Sequence, residues 1–395
     1  MAKQPPTSGL VLSGGGARAA YQAGALRAVA AILGKRRRNP FPVICGTSAG
    51  AINAATLAIH ADDFRRGVAR LTRWWRKIEV ADVYRGDLAT LSRHGMQFLA
   101  AMVGVGTAPE NAASMLDNAP LSTLLQNALP LDRLEGQIAT GTLSALAVNA
   151  TSYATGQAVT FFQGAERHSP WQRTRRRGER SQLTIAHFVA STSIPFIFPA
   201  MRIDDEFYMD GSVRQIAPLS PALHLGARRM IVIAVGQFAG QQANALSSPP
   251  PYPSFAQVAG HALSSIFLDN LGADLERLMQ MNRLVDLLPA PRLAKNGLRL
   301  RHVDALVLAP SLDLGPLALS YAERLPAGVR TLLRGFGSTR GTGANLLSYL
   351  LFDRGFCRAL LRQGYDDTMA RKDELTAFLD EQRTSFVPLY WPQFH

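Results

Sequence analysis

The sequence predicts an α/β fold of three layers, helix over sheet over helix, around a mostly parallel central sheet, with helical additions at the C-terminal end. Two observations carry most of that expectation. Gly9-Leu10-Val11-Leu12 is a short apolar run, broken by Gly14-Gly15-Gly16-Ala17-Arg18, and a helical pattern follows from Ala19 to Leu33. Residues 42–46 repeat the arrangement, ending in Gly46-Thr47-Ser48-Ala49-Gly50 before a small-residue helix from Ser48 to about His60. Strand followed at once by helix, twice in succession, is how parallel strands with helical crossovers read in sequence. A third observation, the apolar run Met230-Ile231-Val232-Ile233-Ala234-Val235, supplies a later strand for the same sheet.

The elements between follow in order. Residues 62–78 read as a helix carrying Trp74 and Trp75 beside Arg73 and Arg76, and the aromatic pair is expected to be a buried anchor. Met96 to Val105 is apolar and precedes a loose stretch to Asn118, an insertion placed to cover a site. Leu143 to Gln163 reads as two strands joined near Thr155-Gly156. Asn149-Ala150-Thr151 matches a glycosylation sequon but falls inside a strand pattern, which argues against its use. A helix over 183–192 leads into Ser193-Ile194-Pro195-Phe196-Ile197-Phe198-Pro199, whose prolines and aromatics make a rigid apolar wall. Residues 237–254, rich in Gln, Gly, Ser and Pro, read as a flexible loop. Ala256 to Leu288 is a long helix, His302 to Leu308 a late strand, and the chain from about 316 is helical, clearest over 366–381. The expected division is an α/β domain over 9–315 and a helical extension over 316–395 packed on it.

Composition narrows the class. Hydrophobic residues make up 47% and charged residues 18%, which fits a large buried core and excludes general disorder. No run approaches the ~18 apolar residues of a membrane span, and the first residues lack an apolar signal core. The expected location is therefore cytoplasmic, with peripheral contact at the inner membrane face. Cys45 reads as a small buried hydrophobe, and no Cys or His spacing suggests a metal site. The formal charge of +13 favours anionic partners. Lys35-Arg36-Arg37-Arg38 and Arg173 to Arg180 are the conspicuous basic clusters, expected to be solvated loops or a foothold on anionic bilayers. Nucleic acid is not expected, because no recognisable module accompanies the charge.

Three motifs lie in the order glycine loop, Gly-Thr-Ser-Ala-Gly, Asp-Gly, and acyl transfer needs what they offer. Gly-x-Ser-x-Gly between strand and helix is a nucleophile elbow that lifts the Ser48 hydroxyl above the sheet. The loop of Gly14, Gly15 and Gly16 opens a helix and presents backbone N–H groups to a developing oxyanion, with Arg18 anchoring the loop or adding positive potential. Asp210, before Gly211, is the candidate base.

These motifs, together with Ser191 to Pro199, resemble the patatin-like phospholipase family over about residues 9–235. Leu346 to Phe352 resembles a mainly bacterial subgroup more loosely. The resemblance implies lipid acyl-ester hydrolysis by a serine–aspartate dyad, with no catalytic histidine, no metal and no cofactor. Carried over by motif, Ser48 is the nucleophile, Asp210 the general base, and Gly14, Gly15, Gly16 and Arg18 the oxyanion region. Two positions depart from the family pattern: Ala19 where the glycine loop often has a further glycine, and Ser212 where a glycine or alanine often follows Asp-Gly.

Other readings stand beside this one. A Ser–His–Asp esterase would take His224, His261 or His302. A thioesterase or acyltransferase would use the same elbow. A dinucleotide binder would use Gly14-x-Gly16-x-x-Ala19, with Lys35-Arg36 where an acidic residue is usual.

Overall fold

The computed structural model describes residues 7–36, 38–86, 114–236, 255–287, 300–335 and 343–380. Within 255–270, 332–335 and at 343 it describes the backbone alone. The expected cover at 96–105, the loop at 237–254 and the side chain of His261 lie outside the described residues.

Ten strands form one sheet: β1 (Ser8–Leu12), β2 (Val43–Thr47), β3 (Ala145–Ser152), β4 (Ala158–Gly164), β5 (Trp171–Arg173), β6 (Arg176–Arg180), β7 (Met201–Ile203), β8 (Glu206–Asp210), β9 (Arg229–Ile233) and β10 (Asp304–Leu308). Their order is β10-β9-β1-β2-β3-β4-β6-β5, with β8 added to β3 and β7 to β8. From β10 to β3 every pairing is parallel. These strands read as continuous apolar runs because both of their faces are covered.

Alternation along the strands divides the core in two. Leu10, Leu12, Ile44, Leu146, Val148, Ile231 and Ile233 face one cluster, shared with the helices α1 (Ala20–Ile32), α2 (Ala49–Ala58) and α3 (Phe64–Trp75). Val11, Val43, Cys45, Ala145, Ala147, Met230 and Val232 face a second, shared with Leu219, Ala222 and Leu225 and with Leu271 and Leu275 of the helix Phe255–Leu287. Helix, sheet and helix are thus the three expected layers. Trp75 is the buried anchor, its indole N–H donating to Asn53 Oδ1 at 2.8 Å.

The C-terminal helices join the first of these clusters. Gly24 of α1 and Gly364 of the helix Arg354–Ala370 bring the two backbones together: a Cβ at either would lie 2.2 or 2.1 Å from a carbonyl oxygen of the other helix. The helix expected over 366–381 is in fact two, Arg354–Ala370 and Lys372–Leu379, separated at Arg371. The basic stretch 173–180 is an edge hairpin rather than a loop. Arg177 pairs with Glu179 and Glu206, and Arg180 donates to the Gly164 and Ala165 carbonyls. Among the described residues no helix is long and apolar enough to cross a membrane.

Candidate active site

Ser48 stands between β2 and α2 at φ 54°, ψ −132°, a region a non-glycine residue enters only under constraint. The flanking glycines supply that constraint. A Cβ on Gly46 would lie 2.5 Å from Ala51 Cα, and one on Gly50 would lie 2.4 Å from the Ser13 carbonyl oxygen. The approach at Gly50 presses the start of α2 onto the end of β1, from which the chain runs on into the glycine loop.

Asp210 reaches the same place through strand register. Thr47, the last residue of β2, pairs with Asn149 of β3, and Asp210, the last residue of β8, pairs with Ala150. Two strands therefore meet end to end along one edge of β3, and Ser48 and Asp210 lie at the junction. Gly211 is needed there, since a Cβ would lie 2.2 Å from the Asn149 carbonyl oxygen. The Asp210 backbone is held from both sides: its N–H donates to Ser193 O at 2.8 Å, and its carbonyl accepts from Thr151 Oγ1 at 3.1 Å.

The Asp210 side chain is fully buried, and burial lifts its pKa from the usual carboxylate range to about 6 against the lowering effect of the Ser48 hydroxyl and of Ser212. Its Oδ1 accepts from the Ser212 amide at 2.8 Å, while Oδ2 has no partner of hydrogen-bond geometry among the described residues. Ser48 lies close enough for its hydroxyl to act on the carboxyl and hold its pKa down.

The glycine loop packs as tightly. Gly14, Gly15 and Gly16 are all buried. A Cβ on Gly15 would meet Val235 Cγ2 at 2.2 Å, and Gly16, at φ 52°, presses against the Tyr349 carbonyl oxygen. Among the described residues the amides of Gly14, Gly15 and Gly16 have no backbone acceptor. Arg18 is engaged with the C-terminal part of the chain. Its Nε donates to Ser348 Oγ at 2.6 Å and its Nη2 to Asn345 Oδ1 at 2.8 Å, with the guanidinium over the Tyr349 ring. From below, Gln22 Nε2 donates to Ser13 O and Ile233 O, and Asn53 Nδ2 to Ala19 O and Gln22 Oε1.

Three contributors carry no role in the sequence reading. Ser191 Oγ accepts from the Ser48 amide at 2.8 Å and donates to Asn149 O at 2.6 Å. Asn149, inside the sequon, is buried and donates to Gly46 O and Thr47 Oγ1. Thr151 supports Asp210. Ser191 stands in the segment that carries the family resemblance, which is the one signal pointing to it.

The apolar wall is real but turned in part. Ile194, Ile197 and Phe198 are buried, and Phe198 packs on Tyr84 with ring centroids 5.9 Å apart. Phe196, at φ 66°, is 65% exposed and lines no buried space.

Neither described candidate histidine joins Ser48. His224 lies flat against Trp171 at 4.7 Å, its pKa pushed down to about 4 by burial and by Arg173 and Arg176. His302 bridges Asp286 and Asp304 at the start of β10, the opposite end of the parallel strands from Ser48.

The family model described as patatin-like phospholipase matches residues 10–223. No curated protein matches the chain significantly. Among solved structures, VipD from Legionella pneumophila aligns at 12% identity and TM-score 0.34, covering 94% of this chain and 67% of VipD. Human GIVD cytosolic phospholipase A2, in complex with a methyl γ-linolenyl fluorophosphonate inhibitor, aligns at 14% identity and TM-score 0.38, with 95% of this chain and 59% of that one covered. ExoU of the Pseudomonas aeruginosa type III secretion system, in complex with SpcU, aligns at 16% and TM-score 0.26, covering 88% and 70%.

Proposed function

The chain belongs to the patatin-like phospholipase family, and from that premise we propose that it is a serine lipid acyl hydrolase working with a Ser48–Asp210 dyad. The observation that carries the reading is the pairing of a strained Ser48 with a buried carboxyl whose pKa stands at about 6. An ordinary aspartate, with a pKa of about 4, is a weak base toward a serine hydroxyl. Burial strengthens it, and the same exclusion of water strengthens hydrogen bonds to the oxyanion.

Asp210 takes the Ser48 proton as Ser48 Oγ attacks the ester carbonyl, and the amides of Gly14 and Gly15 stabilise the oxyanion. Collapse expels the alcohol portion of the lipid, which receives the proton from Asp210. Water, losing its proton to the same carboxylate, then attacks the acyl-enzyme; the Ser48 Oγ–acyl bond breaks, Asp210 returns the proton to Ser48 Oγ, and the fatty acid leaves. Ser48 is 2% exposed, which keeps bulk water from the dyad. The substrate is a phospholipid or another acyl lipid, met by peripheral contact with an anionic membrane from the cytoplasmic side.

The test is fatty-acid release from mixed phospholipid vesicles, read by mass spectrometry for wild type and folded Ser48→Ala. Release by wild type and none by the variant is expected. Release that survives in Ser48→Ala would overturn the assignment.

A further inference from the structure

Away from Ser48, three helices turn like charges toward one another. Arg27 of α1, Arg65, Arg73, Arg76 and Lys77 on or just after α3, and Arg358 of the helix Arg354–Ala370 line one cavity of about 640 Å³. None of its lining residues is acidic. All six cationic side chains are exposed, and among the described residues none is in an ion pair. Arg27 lies over the Tyr365 ring at 4.9 Å and Arg65 donates to the Gly34 carbonyl, contacts that orient each cation without neutralising it. One turn before Arg358, by contrast, Arg354 pairs with Glu79 at 2.9 Å.

The spacing is what makes this a site rather than a surface rich in arginine. Residues 65, 69, 72, 73, 76 and 77 recur every three or four positions, so they share one face of α3, the face turned to α1 and the C-terminal helix. Arg73 and Lys77, four apart on that face, repel each other. The helix dipole accounts for cations at the end of α3 but not for Arg65 in its first turn. An anion in the groove would relieve all of these repulsions, and guanidinium forks match phosphate oxygens in pairs. A second cavity of about 230 Å³ adjoins the first: it shares Arg73 and Lys77 and is lined also by Ile52, Trp74, Leu125 and Leu129.

We propose that this groove is a binding site, separate from the Ser48 site, for a ligand carrying clustered phosphate groups. The proposal does not rest on the acyl hydrolase reading. A soluble polyphosphate would use the cationic cavity alone, whereas a phosphate-bearing lipid would also place apolar chain in the smaller one.

The experiment has two arms at physiological salt: calorimetric titration with inorganic tripolyphosphate, and co-sedimentation with phosphatidylcholine vesicles with and without phosphatidic acid. Each uses the full chain, the pair Arg73→Gln with Lys77→Gln, and a control pair of equal charge loss outside the groove and outside the 173–180 cluster, Arg228→Gln with Arg301→Gln. Binding in either arm that weakens about tenfold or more in the groove pair and stays near wild type in the control supports the site. Binding to tripolyphosphate identifies a soluble carrier, and binding confined to phosphatidic acid vesicles identifies a lipid. If the groove pair lowers the melting temperature, Arg27→Gln with Arg358→Gln tests the opposite wall. Equal weakening by groove and control pairs, or no binding by wild type in either arm, would overturn the proposal.

Discussion

The Ser191 hydroxyl accepts a hydrogen bond from the backbone amide of Ser48 at 2.8 Å while donating its own proton to the Asn149 carbonyl at 2.6 Å. One small side chain thus ties the strained turn to β3, the strand that also sets the register of Asp210. The turn keeps its unfavourable φ because its amide has nowhere better to go.

Ser191→Ala leaves a buried N–H and a buried carbonyl without partners, which costs about 1–3 kcal/mol each when unrelieved. The expected result is a folded enzyme with a lower melting temperature and kcat reduced by about 10- to 100-fold. KM should change little, because Ser191 holds the Ser48 backbone rather than its hydroxyl. The pH dependence should also stay in place, because Asp210 is untouched. A shifted pH limb would mean that Ser191 acts on the carboxyl instead.

Asp210 sets that limb. With its pKa raised to about 6, the carboxyl is protonated and unable to act as a base at lower pH, so kcat/KM should rise with pH through about 6 and then level. Stability runs the other way. Between the unfolded value of about 4 and the folded value, the folded chain holds a proton that the unfolded chain has released. The resulting stabilisation is full below about pH 4 and is lost as pH rises through about 6. Asp210→Asn cannot titrate, so it should be more stable than wild type at neutral pH by ~1–3 kcal/mol and nearly inactive. Denaturant midpoints across the pH range, beside rate profiles, check both halves.

The glycine loop offers a paired test. Gly16→Ala forces a Cβ onto the Tyr349 carbonyl at 2.2 Å in a residue at φ 52°, and on the proposed mechanism activity should fall by at least ~100-fold through displacement of the loop amides. Gly34→Ala meets the same backbone strain at φ 60° with nothing within 4 Å. It should lose only ~1 kcal/mol of stability and keep its activity. Loss of activity in both variants would assign the effect to folding rather than to the loop.

Much of this arrangement was legible in sequence, and the reasons differ by element. β1, β2 and β9 read clearly because burial on both faces demands an unbroken apolar run. Ser48 and Asp210 read clearly because their glycines are obligatory where backbones touch. What was hidden depends on contacts distant in sequence. Nothing around Arg18 announces that its partners lie 330 and 327 positions later, on a helix expected to belong to an extension. Ser191 is indistinguishable from any small helical residue until the Ser48 amide is placed beside it. The hairpin at 171–180 looked like loop because a sheet edge tolerates charge that an inner strand does not. The helix Arg354–Ala370 was obscured by its own Gly355 and Gly364, which weaken a helical pattern.

Gly364 is there for packing, and that gives the last prediction. A Cβ at this position would lie 2.1 Å from the Tyr21 carbonyl oxygen and 3.0 Å from the Ala25 amide nitrogen. In a solvent-facing helix Gly→Ala gains up to about 1 kcal/mol. Here the propensity gain is outweighed, since backbone on both sides cannot yield and overpacking of this kind costs ~1–3 kcal/mol or more. Gly364→Ala should therefore lower the melting temperature, while Gly136→Ala, a helical glycine with nothing within 4 Å, should raise it slightly. The displaced helix leads back through Phe356 and Phe352 to the Gly343–Leu350 helix that holds Arg18, so Gly364→Ala should also reduce kcat in protein that remains folded. A Gly364→Ala variant as stable and as active as wild type would show that α1 and the C-terminal helix do not need this close approach.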